Sequence, residues 1–448
     1  MNAVVPHTHA AELDRLSQLA EDVVARARAA GASQAEVSAS VDAGLSVNVR
    51  MGEVETVERT QDRGFGLTVY FGRRKGSAST ADLRSESIQA TIEQACAIAR
   101  YTEEDACAGL ADAERMATDF PDLDLWHPWA ASVDELTELA QRIEDAGRAM
   151  QGITNSEGAA VNTGSSLGVY ANSHGFLGRE SATRHTMSCS LIAGTGGQMQ
   201  RDYWYDTARS TEQWMDVEDV GREAARRTLA RCGARTLSTR QCPVLYAPSV
   251  ARGLIGHLVG AVSGGLLYRR ASFLQDHIGK RILPEWFSID ERPRLLRGQA
   301  SSNFDSEGVA PSEAALIREG VLQRYVLGSY SARKLGLVST GSADGPTNLV
   351  VGHRGEDFQA MLQRLGTGLL LTEVMGQGVS LITGDYSRGA SGFWVENGEI
   401  AYPVEEITVA ANLRDMFAGI RAVGADVDTR ASTLTGSILV DRMTVAGE

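Results

Sequence analysis

The 448-residue chain lacks most of the short signatures that announce an enzyme. It has no HExxH, so no helix offers two histidines and a glutamate to zinc. Its one GxSxG spacing, GSSLG at Gly164–Gly168, lies in a strand-like run and not at a strand-to-helix elbow that would present a serine nucleophile. Its glycine-rich stretch LGTGLLLTEVMGQGVSLITGDYSRG has neither the GK[ST] of a phosphate loop nor the GxGxxG of a dinucleotide fold. The five cysteines, Cys96, Cys107, Cys189, Cys232 and Cys242, are scattered and form no CxxC. That fits a reducing compartment better than a disulfide framework. Positive charge is short as well: 43 Lys and Arg against 57 Asp and Glu leave a net charge of −14. Nucleic acid and anionic membranes need concentrated basic surface, so neither is expected as a partner. The densest basic cluster, Arg73–Lys75, reads as a hairpin tip. The longest apolar run, Leu254–Tyr268, is shorter than the ~18 residues of a membrane span and contains His257. The first residues, MNAVVPHTHAAELDRL, have no basic region leading into an apolar one, so no signal peptide is read. The expected compartment is the cytoplasm.

What is present is patterned. Leu13, Leu16, Ala20, Val23, Val24 and Ala27 make one apolar stripe, which predicts a helix over 11–31 with Gly31 as its C-cap. The period then becomes two, at Val37/Ala39/Val41, Leu45/Val47/Val49 and Phe65/Leu67/Val69/Phe71. Gly44, Gly52 and Gly72 read as its turns, giving an antiparallel meander with one face buried. A helix is expected near 85–101 and irregular chain over 102–131. Ser132 and Glu135 then form a capping box that opens a further helix. Short strands are expected between about 153 and 206, and a helix over about 216–231. The order helix, strands, helix thus occurs twice, without a residue-level repeat.

Composition shifts near RTLSTRQCPVLYAP. Beyond it lie glycine-rich, strand-like runs: PVLYA, NLVVG, GLLLTEV, GVSLITGDYS and GFWVENGEIAYPV. Asn397-Gly398 between two of them is a hairpin signal, because both residues tolerate positive φ. A helix over 252–267 would pack on this sheet. The fold class is therefore α+β. Residues 1–235 form a domain of helices and antiparallel strands. Residues 236–448 form a mixed or antiparallel sheet domain with one packed helix.

The candidate chemistry is thin. In GLIGHLVGAVSGG (Gly253–Gly265), His257 stands alone. Positions four residues either side are Gly253 and Ala261, and no carboxylate occurs between Arg252 and Leu274. That helix cannot hold a metal by itself, and His257 reads as a packed residue or a peptide contact. His174 and His185 lie on strand-like segments without carboxylates at ligand spacing. TGDYSRGASG gathers Asp385, Tyr386, Ser387 and Arg388, but Arg388 cannot serve as a base for Ser387. Asp305 and Glu307 in FDSEGV could pair on a strand; a surface turn is expected instead. The frequent glycines would allow close backbone approach, within a curved sheet or to an extended peptide at its edge.

Longer motifs carry more. SYSARKLGLVSTG (Ser329–Gly341), FDSEGV (Phe304–Val309), MGQGVSLITGDYSRGASGFWVENGEI (Met375–Ile400) and KRILPEWFSI (Lys280–Ile289) resemble the TldE, or PmbA, subfamily of the TldD/TldE proteins. The resemblance runs along essentially the whole chain and is densest from 240 onward. It implies a cytoplasmic heterodimer with a TldD-type subunit, acting as a metallopeptidase on unfolded or extended peptides. It also implies that zinc belongs to the TldD-type subunit, whose helix carries HExxxH with a cysteine further on. Aligned to that pattern, this chain has Gly256, His257 and Ala261 on the helix and Thr435 at the cysteine position. No metal ligand or catalytic residue carries over, and no cofactor is expected in this chain. His257 and Asp385–Arg388 remain as candidates for contacting peptide. A non-catalytic peptide-binding adaptor is the alternative, with homodimerisation in the partner's absence left open.

Overall fold

A computed structural model of the chain describes residues 6–447; Met1–Val5, the first residues of the stretch read as leaderless, and Glu448 lie outside them. The N-terminal part runs α1 (Pro6–Ala29), β1 (Gln34–Arg50), β2 (Glu53–Phe71), β3 (Arg74–Thr80) and α2 (Ser85–Tyr101). After irregular chain come α3 (Val133–Arg148), β4 (Ile153–Asn172), β5 (Leu177–Ala193), β6 (Gln200–Ala208) and α4 (Val217–Ala230). The strands form one antiparallel sheet in the order β3-β2-β1-β4-β5-β6. The helix–strands–helix order seen in sequence is thus a pair of similar units joined along β1 and β4. Each unit's third strand covers only the C-terminal half of its second: β3 pairs with Phe65–Phe71, and β6 with His185–Ala193.

Helices cover one face of this sheet. Leu16, Ala20 and Val23 of α1 and Ile88 and Ile92 of α2 pack on Val37, Leu67 and Val169. Leu136 and Ile143 of α3 and Val220 and Ala224 of α4 pack on Val47, Val161 and Leu191. The caps follow the sequence: Ser132 Oγ accepts the Glu135 amide at 3.1 Å, and Gly31 leaves α1 at φ 98°. Two expectations for this part of the chain need correcting. Gly44 is not a turn; β1 runs through it, paired with Thr60 and Gly164 on either side. A Cβ there would stand 2.8 Å from Thr60 Oγ1, so the glycine answers a close approach inside the sheet. The strands over 153–206 are long, not short: β4 has 20 residues and β5 has 17. The polar run NTGSS in the middle of β4, paired within the sheet like its flanks, hides that continuity.

The C-terminal part begins with β7 (Arg240–Tyr246), α5 (Pro248–Ala261) and α6 (Gly264–Tyr268). Then follow β8 (Ile289–Arg292), β9 (Ala314–Arg318), β10 (Val321–Leu322), α7 (Ser329–Leu335), β11 (Asn348–Val351) and α8 (Phe358–Leu365). The chain ends with β12 (Gly368–Met375), β13 (Asp385–Glu396), β14 (Glu399–Asn412), α9 (Leu413–Ala418), β15 (Ile420–Val423), β16 (Thr433–Leu434) and β17 (Ile438–Ala446). Strands β14-β13-β12-β7-β17 close on themselves through β14–β17 pairing, with only β7–β12 parallel. This is a five-stranded mixed barrel, and closure removes its edges. Alternation sorts its residues: Val244, Tyr246, Leu369, Leu371, Ile438 and Val440 share a core with α5. Leu245, Leu370 and Leu439 face outward under α8. A second sheet, β10-β9-β8-β11-β16, lies beside the barrel.

The Asn397-Gly398 hairpin turn is present, at φ 53° and 79°. The expected helix over 252–267 is broken. At Val262–Ser263 the backbone leaves the helix to bond Val326: Val326 N–H donates to Val262 O at 3.0 Å and Gly264 N–H donates to Val326 O at 2.9 Å. The run GVSLITGDYS is a strand only from Asp385. Residues 378–384 fold back as a loop, held by the Ser387 amide on Gly378 O at 2.7 Å. Among the described residues no helix is long and apolar enough to cross a membrane.

Candidate functional site

The glycine-spaced stretch forms α5, and its two sides differ sharply. Ala251, Leu254, Ile255, Leu258 and Ala261 are buried in the barrel core. On the other side Gly253 and Gly256 are exposed, and a Cβ built on either would meet nothing within 4 Å. The helix backbone therefore lines open space. His257 borders this face, half-buried, its ring edge-on to Tyr386 with centroids 5.8 Å apart. Burial, with Arg388 adding to it, holds its imidazole below the ordinary range. His257 is therefore neutral near pH 7.

The structure divides the GDYSRG candidates between two faces, as a strand must. Tyr386 points inward and is buried, joining His257. Arg388 lies near His257 and donates from Nε to Met375 O at 2.9 Å. Asp385 and Ser387 are exposed on the opposite face. Asp385 is occupied by Thr383 Oγ1 at 2.6 Å and Asn412 Nδ2 at 3.2 Å. Three of the five candidates therefore converge, and two do not.

The positions aligned with zinc ligands do not fit a metal. Gly256 has no side chain and Ala261 is fully buried, while His257, at the position of the catalytic glutamate, packs on an aromatic ring. Thr435, also fully buried, uses Oγ1 on Gly436 O at 3.0 Å. Among the described residues no group of three or more His, Cys, Asp or Glu could hold a metal ion.

Sequence reasoning missed what borders α5 on its N-terminal side. Arg430 stacks between the rings of Trp204 and Tyr205, 4.0 and 4.5 Å from their centroids, and forks onto Asp428. Arg252 of α5 donates to Tyr205 Oη at 3.1 Å. Behind this cluster a cavity of about 780 Å³ opens between α4, β6 and the barrel. Trp204 and Arg430 are far apart in sequence, so no local pattern could have joined them.

A second space lies between the sheet's open face and the C-terminal part. Two connected grooves of about 650 and 790 Å³ share Ser38, Gly66, Ser79, Tyr170 and Ser306. Glu36 sits at one end, accepting from Tyr70 Oη at 3.0 Å and Tyr170 Oη at 2.8 Å, and burial pushes its carboxyl up. The FDSEGV turn forms part of the roof. It is a turn, as expected, but not a surface one: Asp305 is buried and accepts the amides of Glu307, Val309 and Ala343. Burial, assisted by Glu307, raises the Asp305 carboxyl to about 6 against the pull of those amides.

Three family models match in succession, described as PmbA/TldA metallopeptidase domain 1 (residues 35–99), central domain (126–231) and C-terminal domain (239–447). The chain belongs to the PmbA/TldA metallopeptidase family. It is 52% identical to the metalloprotease PmbA of Escherichia coli O157:H7, over 92% of each chain. It is 48% identical to a PmbA homologue of Haemophilus influenzae, over 98% of this chain and 97% of that one. The fold matches TldE of Thermococcus kodakarensis with a TM-score of 0.81 at 17% identity, over 96% of this chain and all of the other. It also matches a candidate modulator of DNA gyrase from Bacteroides thetaiotaomicron, with a TM-score of 0.92 at 24% identity, over 97% and 99%. The models divide the N-terminal part between α2 and α3, the same division that separates the two units of the sheet.

A pH prediction arises from His257 in this PmbA/TldA chain. Its pKa is depressed in the folded state, so the unfolded chain binds more protons as pH falls through ~6.5. Folding stability is therefore lost on going from pH 7 towards pH 5. His257→Ala should flatten that loss, measured as the urea midpoint against pH. Identical slopes in the two proteins would show that His257 titrates normally.

Proposed function

We propose that this chain is the TldE/PmbA-type subunit of a two-chain metallopeptidase. It completes a chamber for unfolded or extended peptides, while a TldD-type subunit carries the zinc. The observation behind this reading is the pairing of unfit ligand positions with open helix surface: Gly256, Ala261 and Thr435 stand at the positions of a ligand set, His257 at that of the catalytic glutamate, and Gly253 and Gly256 leave the same helix bare. Zinc chemistry needs basic ligands and an activated water, which glycine and alanine do not supply. A bare helix face, however, lets an extended chain lie close to the backbone. Recognition through backbone shape and main-chain hydrogen bonds would give loose sequence preference.

Metal analysis tests the division of labour. The two chains would be purified separately, and zinc per chain measured before and after mixing. Zinc is expected at one equivalent in the TldD-type subunit and none in this chain, and His257→Ala should leave the complex's zinc unchanged. Stoichiometric zinc in this chain alone, or its loss from the His257→Ala complex, would overturn the reading.

A further inference from the structure

The pseudo-symmetry of the N-terminal sheet exposes one edge that should be covered. In each unit the third strand leaves the N-terminal half of the second unpaired: residues 53–63 in β2 and 177–184 in β5. In β5 the chain covers this edge itself. The Thr183 amide donates to Leu125 O at 2.9 Å, and the His127 amide donates to Thr183 Oγ1 at 2.9 Å. The ring of Phe304 lies where a Cβ on Gly178 would stand. In β2 no described segment does this, and residues 53–63 are exposed on both faces. The hairpin is nevertheless firmly held. The buried Glu144 carboxylate of α3 accepts the amides of Met51 and Gly52, each at 2.8 Å. Met51, Val54 and Val57 stand 48%, 46% and 45% exposed along it. A long, fixed edge with free backbone groups and apolar side chains is a template for another strand.

Charge decides which strand. Val57, Arg59 and Arg63 lie opposite Val47, Leu45 and Val41, on the helix-covered side of the sheet. Glu58 and Asp62, opposite Ser46 and Asp42, lie on the open side. Two copies of this chain pairing edge to edge about a two-fold axis would set like side against like side. Arginines would meet arginines and acids would meet acids, which is destabilising. A different chain is required.

We propose that residues 53–63 of β2 are a docking edge for an extended strand of the TldD-type subunit. That strand would carry acidic groups beside Arg59 and Arg63 and basic groups beside Glu58 and Asp62. The assignment of the partner rests on the two-chain reading above; the need for a heterologous strand does not. The like-charged sides also disfavour the homodimer, a repulsive device for specificity.

The test is sedimentation of the full chain with the TldD-type subunit, at low and high salt. The wild type is compared with a four-residue swap: Glu58→Arg, Arg59→Glu, Asp62→Arg and Arg63→Glu. All four are exposed, so the thermal midpoint of the isolated chain should stay put, which separates lost docking from lost folding. The swap should weaken association roughly tenfold or more at low salt, with the gap narrowing as salt is raised. A second variant, Val54→Lys with Val57→Lys, should weaken it at both salts. If the swap associates as well as the wild type, the docking edge is wrong and the two-chain reading stands. If the wild-type chains do not associate, the two-chain reading fails and takes the named partner with it. Self-association of the wild type that the swap abolishes would assign the edge to a second copy and overturn the proposal.

Discussion

Replacing Gly256 by leucine should abolish most peptide cleavage by the two-chain complex while leaving this chain at least as stable as before. The two effects have separate origins. Gly256 lies inside α5 with ordinary helical geometry, and a Cβ there meets nothing within 4 Å. Leucine would therefore be tolerated, and removing a mid-helix glycine is worth roughly 0.5–1 kcal/mol of stability. The new side chain would project into the space beside His257, where an extended peptide would run against bare backbone. A displacement of the bound chain that weakens it by about 1.4 kcal/mol lowers affinity about tenfold. Cleavage should fall by at least that much. The measurement is paired: a urea midpoint for the isolated chain and a cleavage rate for the complex. A complex with full activity would remove the glycine face from the peptide path. The neighbouring Gly264 provides the contrast, because a Cβ there would stand 2.3 Å from Ser331 Oγ. Substitution at Gly264 should destabilise the fold without informing on the groove.

Gly221→Val should have the largest effect on folding. Helices α3 and α4 cross at Gly147 and Gly221, with backbone in direct contact. A Cβ on Gly221 would lie 1.9 Å from Ile143 O and 2.9 Å from the Gly147 amide nitrogen. No rotamer escapes a backbone collision, so the helices must separate. The separation would open the cluster built on Leu136, Ile143, Val161 and Leu191. Overpacking of this kind typically costs 1–3 kcal/mol and more where backbone must move, so a loss of about 3 kcal/mol is expected. Chemical denaturation checks it, with Gly197→Ala as control. That glycine has nothing within 4 Å and no positive φ, and its replacement should shift stability by less than about 0.5 kcal/mol. A Gly221→Val protein as stable as the control would mean the helices cross further apart.

Much of this fold could be read from apolar spacing. The α1 stripe, the helices expected near 85–101, after Ser132 and over 216–231, the Ser132 cap and the Asn397-Gly398 turn rest on local chemistry, and they are where the sequence puts them. The failures share a cause. Gly44, the polar middle of β4 and the Val262–Ser263 break are positions where a distant segment, not the local sequence, sets the backbone. Barrel closure through β14 and β17 is likewise a long-range pairing with no local mark. At the site, the absence of a ligand pattern around His257 was visible in the residues themselves. The convergence of His257 with Tyr386 was not, because it depends on which face of β13 each residue takes. Asp385 and Ser387 were grouped with Tyr386 by adjacency, and strand alternation parts them. The Trp204–Arg430–Asp428 cluster joins the N-terminal and C-terminal parts of the chain and could only be found in three dimensions.

The central claim is that this chain contributes enclosure and partner surface, and its TldD-type partner contributes the metal. Its most direct test is the rate at which the TldD-type subunit cleaves an unfolded polypeptide, measured alone and with this chain titrated to equimolarity. The rate should rise from near background to a plateau at one-to-one stoichiometry, with this chain inactive by itself. A TldD-type subunit equally active alone, or cleavage by this chain alone that survives a chelator, would contradict the account.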